Sequence, residues 1–335
     1  MRKPGVPRFV LFAALVALPV FGQQDQSAPA SQDPSSQKGS SPKAPAASPP
    51  ESDPPGATLP ASLPDLTPDA NGNLSQEQMR QLGRVVTENY RSNYKKERDY
   101  TYVDREVENK LDGQGDIKST ESETYEIMEL YGEQVRRLIA KDDKPLSEGD
   151  SAKEEEKIKK LTDKRRNESE EERAKRRAEE EKQREKNREF VREIPDAFDF
   201  RLVGSELLNG RDTWVLVGEP RPGFRAQLKE AEMLPKYHGR LWIDKSDAQL
   251  AKMDVEALDT VSFGWFLARI HKGTRLVIEW TRVNGEVWLP QRVNFKFDAR
   301  IALFKAYNEE TEQTYSDYKK FRATGKIVSV GDVKP

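Results

Sequence analysis

The residue types that most often perform acid–base or metal chemistry are sparse in this chain. There are two histidines, His238 and His271, which lie far apart in the sequence. His238 precedes Asp244 in the segment "YHGRLWID", and a histidine with a carboxylate can serve as a general acid–base pair or as part of a metal site. No third ligand accompanies them. The sequence therefore favours a strand with charged residues over a catalytic or metal site.

Motifs for nucleophilic catalysis are also missing. The chain has no cysteine, which excludes disulfides, thiolate nucleophiles, thiolate metal sites and acylation at a cysteine. The pattern Ser-x-x-Lys occurs at Ser92–Lys95 and Ser316–Lys319, but the motifs that accompany it in enzymes are absent. There is no G-x-S-x-G, H-E-x-x-H or P-loop sequence. We therefore predict a protein without enzymatic activity, with no catalytic residues, cofactor or metal ion.

The first residues have the pattern of a secretory signal peptide. A basic start (Arg2, Lys3 and Arg8) precedes an apolar run over 9–21, and Val20 and Gly22 are small enough for a cleavage site after Gly22. The run is shorter than the roughly 20 residues that a spanning helix needs. We expect residues 1–22 to be removed and the protein to be periplasmic or otherwise exported, soluble after cleavage and without a transmembrane segment. Retention as a membrane anchor is the alternative.

Composition indicates where the folded domain begins, and net charge indicates which partners to expect. Residues 23–68 are rich in Pro and Ser and offer little to bury, which predicts a disordered linker before a domain over 69–335. The net charge is −2, so general attraction to nucleic acid is not expected.

The segment "DANGNLSQEQ" allows two interpretations. Asp69, Asn71 and Asn73 resemble the start of a calcium loop, but Leu74 and Arg80 stand where such a loop needs glycine and glutamate. The alternative is a turn followed by a capping box, Ser75 with Gln78, which would begin a helix reaching about Lys96.

Alternating apolar and polar residues separated by turn signals run through most of the remaining chain. They predict an α+β, mainly antiparallel fold of about ten strands, with Asn209-Gly210 and Asn284-Gly285 as hairpin turns. In "TYVDREVENKL" we expect Val103, Val107 and Leu111 to share one face, interrupted by Arg105. One face of the sheet should be apolar, and it must be covered. Whether that face encloses a packed core or an open cavity stays undecided at this point.

A segment over 147–192 interrupts the strands and is almost entirely charged or polar. Pairs such as Glu156–Lys160 and Glu180–Arg184 have the favourable i,i+4 order. We predict one long solvated helix inserted between strands, too polar to cover the sheet. A role in docking an envelope protein partner is the functional alternative.

Three segments resemble the outer-membrane lipoprotein-sorting protein superfamily, with its LolA/RseB-like periplasmic domains: "GRLWIDKSDAQLAKMDV", "KGTRLVIEW" and "VNGEVWLPQRV". The resemblance implies a curved, unclosed half-barrel with an N-terminal helix and a helical lid. Its interior would bind a lipoprotein acyl chain or another lipid. The residues that would line this interior are Leu241, Ile243, Met253, Val255, Val293, Phe295 and Phe297. The expected function is that of a non-enzymatic carrier, and the alternative is an envelope scaffold or stress sensor.

Overall fold

The computed structural model describes residues 64–131, 133–263, 268–301 and 305–321. The predicted signal peptide and the predicted linker up to residue 63 lie outside these ranges. The helices are α1 (Gln76–Glu97), α2 (Glu148–Arg166) and α3 (Glu170–Ala197), with a short 3₁₀ helix at Lys229–Lys236. The strands are β1 (Tyr100–Leu111), β2 (Ile117–Leu130), β3 (Glu133–Lys141), β4 (Lys144–Pro145), β5 (Phe198–Leu208), β6 (Arg211–Pro220), β7 (Tyr237–Asp244), β8 (Leu250–Ala257), β9 (Val261–Phe263), β10 (Ala268–Ile270), β11 (Arg275–Val283), β12 (Val287–Ile301) and β13 (Lys305–Lys320).

All of these strands belong to one antiparallel sheet that does not close. Their order is β4-β3-β2-β1-β13-β12-β11-β8-β7-β6-β5, and β9 and β10 extend from β12. Among the described residues, β4 and β5 do not pair with each other, so the sheet is an open half-barrel. The predicted fold class is confirmed, with more strands than the ten expected because β4, β9 and β10 are very short. No helix in the described part of the chain has the length and apolar character to cross a membrane.

Local sequence signals set the turns and the start of α1. Asn209 and Gly210 both have positive φ and join β5 to β6, as the type I′ turn of a two-residue hairpin requires. The Ser75–Gln78 capping box is present. The Asp69 carboxylate accepts hydrogen bonds from the backbone N–H groups of Asn71 and Asn73, so it closes a turn within its own loop.

The charged insertion differs from the single helix that the sequence predicted. It forms two helices, because Ser169 makes a capping box with Glu172 and begins α3 three residues after α2 ends. The side chain of Ser147 caps α2 by accepting a hydrogen bond from the Asp150 N–H. The insertion joins β4 to β5, which are the two ends of the strand order, so these helices connect the two edges of the open sheet.

Both helices of the insertion contact the sheet region, which corrects the expectation that this segment cannot cover it. On α2, a carboxylate oxygen of Glu154 accepts a hydrogen bond of 3.1 Å from the Leu138 N–H of β3. The last turns of α3 bury Phe190, Pro195 and Ala197, and α3 packs against α1. Only the first part of the insertion is therefore a solvated helix.

The valines of β1 are not its buried residues. The buried residues of this strand are Tyr100, Tyr102, Asp104 and Glu108, whereas Val103 and Val107 are half-buried. Asp104 can face inward because Arg136 of β3 forms an ion pair with it at 2.9 Å. The inner surface of the sheet is therefore apolar at β7, β8, β11 and β12 and contains charged residues at β1 and β3.

Candidate functional site

An apolar cavity of about 220 Å³ lies between the sheet and its helical cover. We call it the apolar cavity. Strands β7 and β8 supply Leu241, Ile243, Met253 and Val255, and β11 supplies Leu276. The cover consists of residues from α1, from the end of α3 and from the 3₁₀ helix: Met79, Leu82, Val86, Phe190, Ile194, Met233 and Leu234. Apolar side chains therefore surround this space from several elements.

Two glycines allow close packing beside the apolar cavity. Gly218 of β6 and Gly239 of β7 are register partners on neighbouring strands. A Cβ atom on Gly218 would lie 2.8 Å from a ring carbon of Phe200, so a larger residue there would displace that ring. Phe200 lines the cavity together with both glycines. The missing side chain at Gly218 thus permits the close approach of Phe200 from β5, whereas a Cβ atom on Gly239 would lie 3.1 Å from the Asp254 backbone oxygen of β8.

The structure places the seven residues that the resemblance implied as cavity lining in two different regions. Leu241, Ile243, Met253 and Val255 line the apolar cavity. Val293, Phe295 and Phe297 do not; they belong to an adjacent cluster that includes Ile278, Tyr102 and Tyr315. The rings of Phe295 and Phe297 stack with their centroids 5.2 Å apart. β12 therefore contributes these three to the neighbouring packed core.

Sequence reasoning did not find the contribution of α3 to the cavity. Phe190 and Ile194 follow an almost wholly charged run and are spaced i,i+4, so they lie on one face of the helix. Glu193 of the same turn is buried, and its carboxylate accepts hydrogen bonds from the N–H groups of Gln227 and Leu228 at 2.9 and 2.7 Å. These bonds hold the segment before the 3₁₀ helix against α3. The apolar residues at the end of the charged run were the available signal.

A second cavity, of about 420 Å³, lies farther along α1, and we call it the aromatic cavity. Tyr90, Tyr94 and Glu97 of α1, with Trp280 and Trp288 of the sheet, are among its lining residues. Charged residues of α3 line another part of it: Arg184, Glu185, Arg188 and Arg192. Val86, Thr87, Val191 and Leu250 line both cavities. The two spaces are therefore neighbours that share a wall.

Asn93 fixes α1 to the sheet beside the aromatic cavity. Its side-chain amide donates to the backbone oxygen of Trp288, and its side-chain oxygen accepts from the Trp288 N–H at 2.6 Å. Asn89, one turn earlier, donates to the backbone oxygen of Asp247 at 2.9 Å. The position of the helical cover is thus set by side-chain to backbone hydrogen bonds as well as by apolar contacts.

The interior near β1 has a charged cluster centred on Arg136. Arg136 contacts Asp104 at 2.9 Å and Glu106 at 3.3 Å, and its guanidinium carbon lies 3.9 Å from the centre of the Tyr125 ring. Gln313 donates to the Glu106 carboxylate at 3.0 Å. Burial raises the pKa of Asp104 to about 6, although Arg136 opposes this shift. The cluster is an internal polar network of the sheet.

The histidines and Asp244 do not assemble a reactive site. The Asp244 carboxylate is fully buried, binds Arg211 and accepts hydrogen bonds from the N–H groups of Ser246 and Asp247, so it shapes the β7–β8 turn. His238, at the other end of β7, lies 3.8 Å from Glu219. His271 contacts Asp298 at 2.9 Å. Within the described ranges, no group of three or more His, Asp or Glu side chains is placed to hold a metal ion.

Comparisons with known proteins give similar folds at low sequence identity. An outer membrane lipoprotein-sorting protein domain from Vibrio parahaemolyticus matches over 73% of this chain and 95% of its own, with 13% identity and a TM-score of 0.31. A LolA superfamily protein from Nitrosomonas europaea matches over 70% and 94%, with 10% identity and a TM-score of 0.26. MucA/MucB of Pseudomonas aeruginosa matches over 69% and 94%, with 11% identity and a TM-score of 0.19.

Structures of the superfamily that the sequence was expected to resemble are therefore among the matches. No family model matches the chain, and no curated protein matches it. The likeness concerns the fold alone.

Proposed function

We propose that this protein is a non-enzymatic, exported carrier or sensor that binds an acyl chain or another apolar ligand between the half-barrel and its helical cover. The observation that carries this proposal is the apolar cavity, with Leu241, Ile243, Met253 and Val255 as its floor. The sequence resemblance to lipoprotein-sorting proteins supports the same ligand class. The apolar residues of α1, α3 and the 3₁₀ helix exclude water from the bound chain.

The size of the two neighbouring spaces fits a ligand larger than a fatty-acid fragment. Sites for small molecules typically measure about 300–1,000 Å³. The apolar cavity measures about 220 Å³ and the aromatic cavity about 420 Å³. Because they share the wall around Val86 and Leu250, a chain that enters one can extend along α1 toward the other. Movement of the cover by a small amount would join them.

Displacement of a fluorescent long-chain fatty acid by palmitate tests the proposal on the delipidated protein. Met253→Trp fills the apolar cavity, so affinity should fall at least about tenfold, which corresponds to roughly 1.4 kcal/mol. Val277→Trp is the matched control, because Val277 is on the neighbouring strand but alternates with the inward-facing Leu276 and Ile278. The absence of saturable binding, or equal affinity in the two variants, would contradict the proposal.

A second candidate is an envelope scaffold that binds a partner through α2. The observation that favours it is that α2 has no buried residue, although it covers the edge of β3. Reversing the charges of the exposed Glu155, Lys159 and Lys160 should remove a cross-linked envelope partner, whereas Met253→Trp should retain it. An unchanged cross-linking pattern in the charge-reversal variant would exclude this role for α2.

A further inference from the structure

Glu97 differs from the other buried carboxylates of the described chain. Asp104 binds Arg136, Asp244 binds Arg211, Glu193 accepts two backbone hydrogen bonds and Glu108 lies 3.5 Å from Lys110. Glu97 is 9% exposed and lines the aromatic cavity. Among the described residues, its side chain has neither an ion pair nor a hydrogen bond. A buried carboxylate without a partner is costly unless it is protonated or meets a cation.

The surroundings of Glu97 suit a cation. It is the last residue of α1, and the C-terminal end of a helix favours positive charge. The cavity that it faces is lined by Tyr90, Tyr94, Trp280 and Trp288, and the faces of aromatic rings attract ammonium groups. These four side chains also supply apolar surface. The arrangement offers a counter-ion and aromatic rings within one cavity.

The arginines at the other side of the aromatic cavity have carboxylate partners on their own helix. Arg188 binds Glu181 at 2.7 Å, and Arg184 binds the same residue at 3.0 Å. Arg192 lies 3.5 Å from Glu185. Their charges are thus balanced within α3. They line the cavity from α3, whereas Glu97 lines it from the last residue of α1.

We propose that the aromatic cavity binds the ammonium group of an amphiphile, with Glu97 as its counter-ion, while the apolar chain of that ligand extends toward the apolar cavity. The position of the ligand's apolar chain rests on the proposed apolar-ligand function. The new element is the positive charge of the ligand's head group. The rise of about 1.5 Å per residue along α1 separates Val86, at the shared wall, from Glu97 by roughly 16 Å. A chain of about twelve carbons spans this distance.

Binding of the ammonium group should depend on pH, because Glu97 titrates near neutral pH and the tyrosines around it do not. Burial raises the pKa of Glu97 to about 7. The tyrosines whose pKa its charge helps to raise are Tyr90 on α1, Tyr102 on β1 and Tyr318 on β13, and all three remain neutral in this pH range. Asp104, behind Tyr102, is paired with Arg136. The ionised fraction of Glu97 therefore rises roughly tenfold between about pH 6 and about pH 8.

Three probes of equal chain length separate charge from apolar burial: dodecyltrimethylammonium, dodecanol and dodecanoate. Each is measured by calorimetry, the two ionic probes below their micellar concentrations and dodecanol below its solubility limit. The ammonium probe should bind at least about tenfold more tightly than dodecanol at about pH 8, and this preference should fall roughly tenfold at about pH 6. Dodecyl-chain phosphoethanolamine, measured alongside, shows whether a phospholipid head with a phosphate binds better than a simple ammonium.

Glu97→Gln keeps the size of the side chain and should abolish the preference for the ammonium probe without changing dodecanol affinity. Tyr94→Leu should reduce the preference in part, because an aromatic face is lost while apolar surface remains. Glu77→Gln, the same change at an exposed position of α1, should leave all affinities unchanged. Thermal unfolding of each variant checks that it is folded.

The outcomes distinguish this inference from the proposed function. If dodecanol binds and Met253→Trp prevents it, but the ammonium probe has no advantage, the apolar site stands and the role of Glu97 is wrong. Equal ammonium preference in Glu97→Gln and the unsubstituted protein overturns the inference in the same way. If none of the probes binds, both proposals fail.

Discussion

The side-chain amide of Asn93 occupies the place of a neighbouring strand beside Trp288. Trp288 pairs with Arg282 of β11 on one side, but within the described ranges β13 pairs with β12 on the other side only from Arg292 onward. Asn93 supplies both a donor and an acceptor to the Trp288 backbone. Two residues farther along, the Tyr318 hydroxyl donates to the backbone oxygen of Pro290, which has no N–H to satisfy. A helix and a hydroxyl thus complete the sheet at this edge.

Replacing Asn93 should therefore destabilise the protein more than loss of a surface polar group would. Asn93→Leu leaves a buried N–H and a buried carbonyl of Trp288 without partners, and each costs about 1–3 kcal/mol. We expect the free energy of unfolding to fall by about 3 kcal/mol, measured by urea denaturation. Asn89→Leu, which loses a less buried bond to Asp247, is the control and should cost less. Equal losses would show that the Asn93 contacts add no particular stability.

Arg136 should be essential to the polar network beneath β1. Arg136→Met leaves the buried Asp104 and the adjacent Glu106 without their cation, and removal of one member of a buried pair costs about 3–5 kcal/mol. Arg137→Met is the control, because its partner Glu126 is half-exposed and such pairs contribute about 0–1 kcal/mol. Urea denaturation should separate the two variants clearly. Similar midpoints would show that Asp104 is stable in its buried position without Arg136.

Glu154 should protect the edge of β3. Its carboxylate accepts the Leu138 N–H, which is otherwise available to another chain because β4 pairs only with Ala140 and Lys141. Glu154→Ala should lower the free energy of unfolding by about 1 kcal/mol and increase aggregation on mild heating. Unfolding curves and light scattering test both effects. Glu155→Ala, at the exposed next position, should change neither; identical scattering from the two variants would contradict the role.

The sequence predicted the inner face correctly where the alternation of apolar and polar residues along one strand determines it. Leu241 and Ile243 alternate with Arg240, Trp242 and Asp244, Met253 and Val255 alternate with charged residues, and these four line the apolar cavity. The same alternation placed Val293 and Phe295 on the inner face, where they pair in register with Ile278 and Leu276. It could not show that their neighbours would be Tyr102 and Tyr315, because that depends on how β1 and β13 curve over β12.

Buried charges were the features that sequence reasoning missed. In β1 the apolar Val103 and Val107 are half-buried, whereas Asp104 is buried because a guanidinium from a strand thirty-two residues away faces it. Glu97 ends a helix with many polar residues, and nothing local distinguishes it from its exposed neighbours. Its burial accompanies the packing of α1 against β12, where Asn93 binds the Trp288 backbone. The burial of these charged residues depends on tertiary contacts, which the hydrophobic periodicity of the sequence cannot predict.

The buried carboxyl of Glu97 should also make the ligand-free protein less stable as the pH rises. Its pKa is about 7 in the folded protein against an ordinary value of 4.5, so between these values the folded state binds more protons than the unfolded state. The free energy of unfolding should therefore fall as the pH rises from about 4.5 to about 7 and stay lower above that. The full effect is about 3 kcal/mol at most.

Glu97→Gln removes this titration without changing the shape of the side chain. The variant should match the unsubstituted protein near pH 4.5 and exceed it by up to about 3 kcal/mol near pH 8, measured by urea denaturation at both pH values. Asp104, whose pKa is also raised, titrates in both proteins, so its contribution cancels in the difference. Glu77→Gln should show no pH-dependent gain. If the difference in unfolding free energy between the Glu97 variant and the unsubstituted protein is the same at the two pH values, folding does not raise the pKa of Glu97.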